Sequence, residues 1–283
     1  MERKARRKRN PQTGEELQML AKKVPKFVPG KQFKRENLRE KVRGMHYKEL
    51  LKRHNRFYRW EGRAGYYDKY MKEKNWEEWR DPGKLSDDEV EKLFEFIVSW
   101  DPHFGQERDR VIQFKQAYKR VFSLFKQLEG EKIYKISYEK KIKHPQGDLI
   151  RLQEAISIIF NTIVSCFRRD ESTDTSKIIH TINPELFVMW DRSIRRHLLK
   201  KEEGTGEDYA YKFIPMMHEE IHEAIESFVE ENHCEYEEAV KEISSLADNK
   251  TLAKLLDEYN YVAQHFKLEE LLEEGGWKKP EER

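Results

Sequence analysis

Residues 149–167 read LIRLQEAISIIFNTIVSCF. Leu152, Ala155, Ile156, Ile158, Ile159, Phe160, Ile163 and Val164 leave this stretch little polar face. A helix that is apolar nearly all round is buried, so it is expected to form the centre of a helical globular body. Outward on the N-terminal side, Ser86 and Glu89 have capping-box spacing, and Val90, Leu93, Phe94, Ile97 and Val98 follow at i, i+3, i+4, i+7 and i+8. That helix stops at Asp101-Pro102, and a second is expected over about residues 106–128. It carries Val111, Phe114, Tyr118, Val121, Phe122 and Phe125 on one face, with Gly130 as its cap. Residues 133–142 fit either a short strand pair or a loop, which Pro145 and Gly147 end. On the C-terminal side, residues 168–175 read as a polar loop before SKIIHTINPELFVMWDRSIRRHL at 176–198. There Asn183-Pro184 starts a turn or short helix, and Asp191 is placed to cap a basic helix. Residues 208–277 read as three or more acidic helices, one of them lined by Ile214, Met217, Ile221, Ala224, Ile225 and Phe228.

The formal charge of the 283 residues is only +2, but it is unevenly spread. Residues 1–40 hold 13 Lys/Arg against 5 Asp/Glu, a surplus of +8, whereas residues 201–283 hold 9 against 23, giving −14. A basic front with an acidic tail suits a chain that meets a polyanion at one end. No apolar run approaches the ~20 residues of a membrane span, and the Arg-rich start lacks the apolar core of a signal peptide. A cytoplasmic location away from membranes is therefore expected. Cys166 and Cys234 make neither a disulfide framework nor a zinc set. No Gly-rich phosphate loop, G-x-S-x-G or C-x-x-C pattern is present, so no cofactor is expected.

Residues 7–31, RKRNPQTGEELQMLAKKVPKFVPGK, have turn chemistry at Asn10-Pro11 and Thr13-Gly14 between two short extended segments. Taken alone, the charge run would be a solvated basic tail. With the turn, it becomes a cationic β-ribbon able to lie in a DNA groove. Arg3, Lys4, Arg6, Arg7, Lys8 and Arg9 lead in, and Lys22, Lys23 and Lys26 follow on the return. Residues 2–35 resemble the C-terminal, DNA-binding arm of the bacterial histone-like HU family. The resemblance rests on Arg9, Asn10, Pro11, Gln12, Thr13 and Gly14, then Ala21, Lys23, Val24, Pro25, Phe27, Gly30 and Lys31. HU is among the minor-groove binders that kink DNA with inserted apolar wedges. The resemblance implies non-sequence-specific binding of double-stranded DNA, with Pro11 as the wedge. The two helices that build the HU dimer are missing here, so a homodimer would have to form through the body.

The fold class expected is mainly α: an HU-like β-ribbon arm (1–36), a basic, aromatic-rich helical region (37–80), a helical core (81–200) and an acidic helical region (201–283). A basic helix is expected over residues 34–58, weakened by Gly44. Phe57, Tyr58, Trp60, Tyr66, Tyr67, Tyr70, Trp76 and Trp79 alternate with Arg and Lys. Such interleaving suits a stacking surface for nucleic acid, although most of these rings are expected to be core. The segment around Asp191 loosely resembles the P-x-x-D-x-x-x-R-R region of helix-hairpin-helix DNA glycosylases. That resemblance implies a catalytic role for Asp191 and leaves Lys177 as the upstream amine. The hairpin Leu-Pro-Gly-x-Gly is absent, and the plainer reading makes Asp191 a helix cap and Arg195 and Arg196 surface charge. His218, Glu219 and His222 match H-E-x-x-H, but Glu220 sits where an apolar residue is usual, so no metal is expected. The sequence thus favours a DNA-binding protein that bends its target over an enzyme. A glycosylase-like DNA-processing enzyme anchored by the arm, and an α-helical interaction protein with a vestigial arm, are the alternatives.

Overall fold

The structure, a computed structural model, describes residues 6–9, 16–19, 45–104, 109–167 and 171–265. The chain divides into two compact units, Met1–Arg43 and Gly44–Arg283. In the first, β1 (Arg6–Arg9) pairs antiparallel with β2 (Glu16–Met19), Arg6 opposite Met19 and Arg9 opposite Glu16. The turn expected at Asn10 to Gly14 lies outside the described residues, as do Arg3, Lys4, Lys22, Lys23 and Lys26.

The second unit is mainly helical. It opens with α1 (Tyr47–Trp60), α2 (Ala64–Glu73) and the single turn α3 (Trp76–Trp79). Only the second half of the helix expected from residue 34 falls among the described residues. α4 (Asp87–Trp100) is capped by Ser86, whose Oγ accepts from Glu89 N at 3.3 Å. The reciprocal half of the expected capping box does not form. Glu89 accepts instead from Asn75 N and Lys92 Nζ, and Ser86 N donates to Glu78. α5 (Arg110–Gln127) follows, and Gly130 takes φ +86°, a conformation that suits glycine past a helix end.

The region after α5 corrects two expectations. Ile133–Lys135 is a 3₁₀ turn, and β3 (Lys141–Lys143) pairs antiparallel with β4 (Leu149–Arg151). The hairpin closes through Gly147 at φ +109°, with His144 N donating to Asp148 O and Gly147 N to His144 O. Leu149, expected in the central helix, is therefore in a strand and 69% exposed. The central helix α6 (Leu152–Val164) starts three residues later. It buries Leu152, Ala155, Ile156, Ile159, Phe160 and Ile163, each contributing ~1–3 kcal/mol by leaving water.

α7 (Ser172–Ile182) ends at Asn183, so Asn183-Pro184 closes one helix with a turn and does not open another. α8 (Arg192–Leu198) is followed by a helical turn (Gly206–Asp208) and a π-helical segment (Tyr209–Phe213). These run into α9 (Ile214–Asn232), and α10 (Tyr236–Leu246) and α11 (Leu252–His265) complete the body. α11 packs along α1, and Phe57, Trp100 and Tyr261 form an aromatic cluster beside that contact. Gly206 is dictated by close approach, since a Cβ there would lie 2.5 Å from the Ser157 carbonyl. Among the described residues no helix is long and apolar enough to cross a membrane.

Candidate functional site

Asp191 reaches its place through the extended segment between α7 and α8, which hydrogen bonds pin along its length. Phe187 O lies 2.5 Å from His180 Nδ1, and Val188 O accepts from Tyr209 at 2.7 Å. Trp190 N donates to Ser176 Oγ, and its indole N–H donates to Ser172 O. A carbonyl beside His180 Nδ1 requires the proton on that nitrogen, so Nε2 accepts from the Tyr67 hydroxyl at 2.9 Å. Burial lowers the His180 pKa to about 3, which keeps the ring neutral.

Asp191 is the N-cap of α8, with Oδ1 accepting from Ile194 N at 2.7 Å. Its other oxygen meets His265 Nε2 at 2.7 Å. Burial pushes the Asp191 carboxyl up, but the bonds from His265 and Ile194 outweigh it and hold the group below the usual range. The same contact raises His265. Arg195, expected on the surface, is 4% exposed; it donates to Glu202 O and Thr173 Oγ1. Arg196 does lie on the surface, paired with Glu202 at 2.6 Å. Lys177 is held by Asp174 one helical turn away, at 2.8 Å.

Lys177 and Asp191 line one cavity of about 230 Å³, walled by Phe57, Tyr67, Trp100 and Trp190. Lys254 and Asp257 on α11 also line it, 2.6 Å apart and both buried. Burial opposes the charge on Lys254, but Asp257 and Glu258 more than restore it and raise its pKa. Burial pushes Asp257 up to about 6 despite Lys254. Glu258 also meets His54 at 2.6 Å, so a buried network of four polar side chains backs the cavity. Lys254, Asp257 and His180 were not singled out in the sequence. The available signal is that Lys254 shares a helix face with the apolar residues around it. Asp101, Glu171 and Asp174 bring carboxylate oxygens within 4.8 Å of one another, but Asp174 is already engaged by Lys177.

His218 and His222 do share a face of α9, with ring centroids 6.3 Å apart. His218 Nδ1 faces Ile133 O at 2.6 Å, His222 Nδ1 faces the Tyr236 hydroxyl, and His222 Nε2 lies 3.2 Å from Glu226. Of the aromatic run, Phe57, Tyr67, Tyr70 and Trp79 are buried, Tyr66 is 49% exposed, and Trp76 is partly buried.

In the N-terminal unit, the β1–β2 pairing sets Arg6, Arg7, Lys8 and Arg9 on one strand of a two-stranded ribbon. Residues 1–37 match the family described as Bacterial DNA-binding protein. The chain is 64% identical over 33 residues to DNA-binding protein HU 1 of Bacillus subtilis, covering 12% of this chain and 36% of that protein. It is equally similar to DNA-binding protein HU of Geobacillus stearothermophilus, over 12% of this chain and 37% of the relative. The chain thus spans about a third of the length of the curated relatives it matches. What holds is an HU-like segment at this chain's N-terminal end; its placement as a C-terminal arm is set aside. No solved structure matches the chain.

Proposed function

We propose that this protein binds double-stranded DNA without sequence specificity through its HU-like segment. The observation that carries the reading is the match of residues 1–37 to a DNA-binding family. The β1–β2 ribbon and the surplus of cations in residues 1–40 support it. In this reading residues 1–36 act as an arm, Arg3, Lys4, Arg6 to Arg9, Lys22, Lys23 and Lys26 meet phosphates, and Asn10, Pro11 and Gln12 enter the minor groove. The helical regions 37–80, 81–200 and 201–283 carry that arm. The setting is the cytoplasmic nucleoid, where one arm gives one kink per chain unless the body dimerises. Fluorescence energy transfer across an end-labelled duplex tests it. Pro11→Ala reduces the bend at saturating protein while leaving affinity for straight duplex nearly intact, because no phosphate partner is lost. Equal bending by both proteins refutes the wedge.

A second reading, a DNA-processing enzyme of glycosylase-like character, is favoured by one observation: Lys177 and Asp191 line the same aromatic cavity. Lys177 would supply the nucleophilic amine and Asp191 the carboxylate. Asp191→Asn should then abolish cleavage of damaged-base duplexes without loss of binding. A lesion panel showing no turnover by the wild type rejects this reading and leaves the first.

A further inference from the structure

A larger cavity, about 450 Å³, opens between α3, the C-terminal end of α5 and the turn after α7. That volume falls within the ~300–1,000 Å³ of small-molecule sites. Its walls are aromatic, with Trp76 and Phe122 only partly buried and Trp79, Tyr118 and Phe125 behind them. Trp79 and Tyr118 pack edge to face at 5.5 Å, and Tyr118 and Phe122 at 5.7 Å. Lys74, fully buried, donates to Thr181 O and sits 4.2 Å from the Trp76 ring centre and 4.4 Å from that of Trp79. Packed against the Lys74 side chain, the two indoles are held in place before any ligand arrives, which lowers the ordering cost of binding.

The rim carries Arg80, Lys126 and Lys132 against Glu129 and Glu185. Among the described residues, none of these three cations has a carboxylate within 4.0 Å. By contrast, Lys92, Lys115 and Lys140 on neighbouring surfaces are all paired. Asn183 donates its amide to Leu128 O, leaving its side-chain oxygen as an acceptor at the rim.

Reachable ring faces beside unpaired cations make a site for a planar ring that carries an anionic group. Duplex DNA offers no such ring, because its bases are stacked on one another; a single strand does. We propose that this groove seats a nucleotide of single-stranded DNA, with the base against Trp76 and Phe122 and the phosphate on Arg80 and Lys126. Glu129, Glu185 and the Asn183 oxygen are the acceptors available to base N–H groups. The choice of DNA as the polymer rests on the DNA-binding reading above; the groove itself is independent of the N-terminal segment.

The test uses the full chain and a fluorescein-labelled twelve-nucleotide thymidine strand, with a duplex and free thymidine monophosphate as parallel probes. Trp76→Ala should weaken single-strand binding about tenfold, within the range for loss of one stacked base. Arg80→Ala with Lys126→Ala should reduce the salt slope by about 0.7, the share of the one single-strand phosphate the two cations hold. Neither should change duplex affinity or the thermal midpoint. A chain lacking residues 1–34 should keep its dependence on Trp76, so failure of the arm and failure of the groove are read separately. Unchanged single-strand affinity in both variants overturns the proposal. So does equal loss for single strand and duplex, and so does binding of the free nucleotide without the strand.

Discussion

Glu220 on α9 offers a quantitative test of the body's packing. Its Oε2 is buried with no hydrogen-bond partner among the described residues. Burial pushes its carboxyl from the ordinary 4.5 up to about 7; Asn260 and Arg53 pull it down, and Glu223 adds to the rise. A carboxyl whose folded pKa is raised binds its proton more tightly in the folded chain. Stability should therefore fall as pH climbs from about 4.5 to about 7 and stay reduced above that. At about 1.4 kcal/mol per pH unit, this corresponds to a penalty of at most about 3.5 kcal/mol at pH 8. Glu220→Gln removes the ionisation and keeps the shape. It should be near-neutral at pH 4.5 and stabilising at pH 8, raising the melting temperature by about 7–14 °C for a unit of this size. Thermal melts followed by circular dichroism at the two pH values measure it. A Gln variant that is destabilised equally at both would show that Glu220 is ionised and paired, and would refute the packing described for α9.

The other predictions concern the cavity beside Asp191 and the packing of Gly206 on the central helix. Lys254→Met should cost about 3–5 kcal/mol, because it leaves Asp257 and Glu258 without their shared cation, and denaturant unfolding reads this directly. His265→Ala should cost a few tenths of a kcal/mol at pH 6. Its raised pKa makes that contribution complete below 6.5 and lost as pH rises above it, so the cost should fade in alkaline melts. Asp191→Ala should cost about 1 kcal/mol as a lost cap, whereas Asp191→Asn keeps the acceptor for Ile194 N and should cost less. Gly206→Ala should destabilise by about 1–3 kcal/mol, since its Cβ would press on the Ser157 carbonyl.

Periodicity located the helices of the body because their apolar stripes meet one core. It placed the start of the central helix three residues early because Leu149 and Ile150 are apolar. What decides that boundary is the Gly147 turn and the pairing of Lys141 with Arg151, a contact between residues ten apart. The cap role of Asp191 was legible from its place before a basic run. Its bond to His265 was not, since 74 residues separate them. Lys254 escaped notice because a lysine in an acidic tail reads as solvated; only the convergence of Asp257 and Glu258 makes its burial tolerable. β1 and β2 pair within the stretch where a ribbon was expected, and the turn between them lies outside the described residues.

The central claim is that the N-terminal segment supplies the DNA contact, and salt dependence tests it most directly. The logarithm of duplex affinity is measured against the logarithm of salt concentration for the full chain and for a chain lacking residues 1–34. If Arg3, Lys4, Arg6 to Arg9, Lys22, Lys23 and Lys26 each meet one phosphate, the full chain should show a slope of about −8. The shortened chain should bind more weakly, with a slope nearer zero. Superimposable lines for the two proteins would contradict the account.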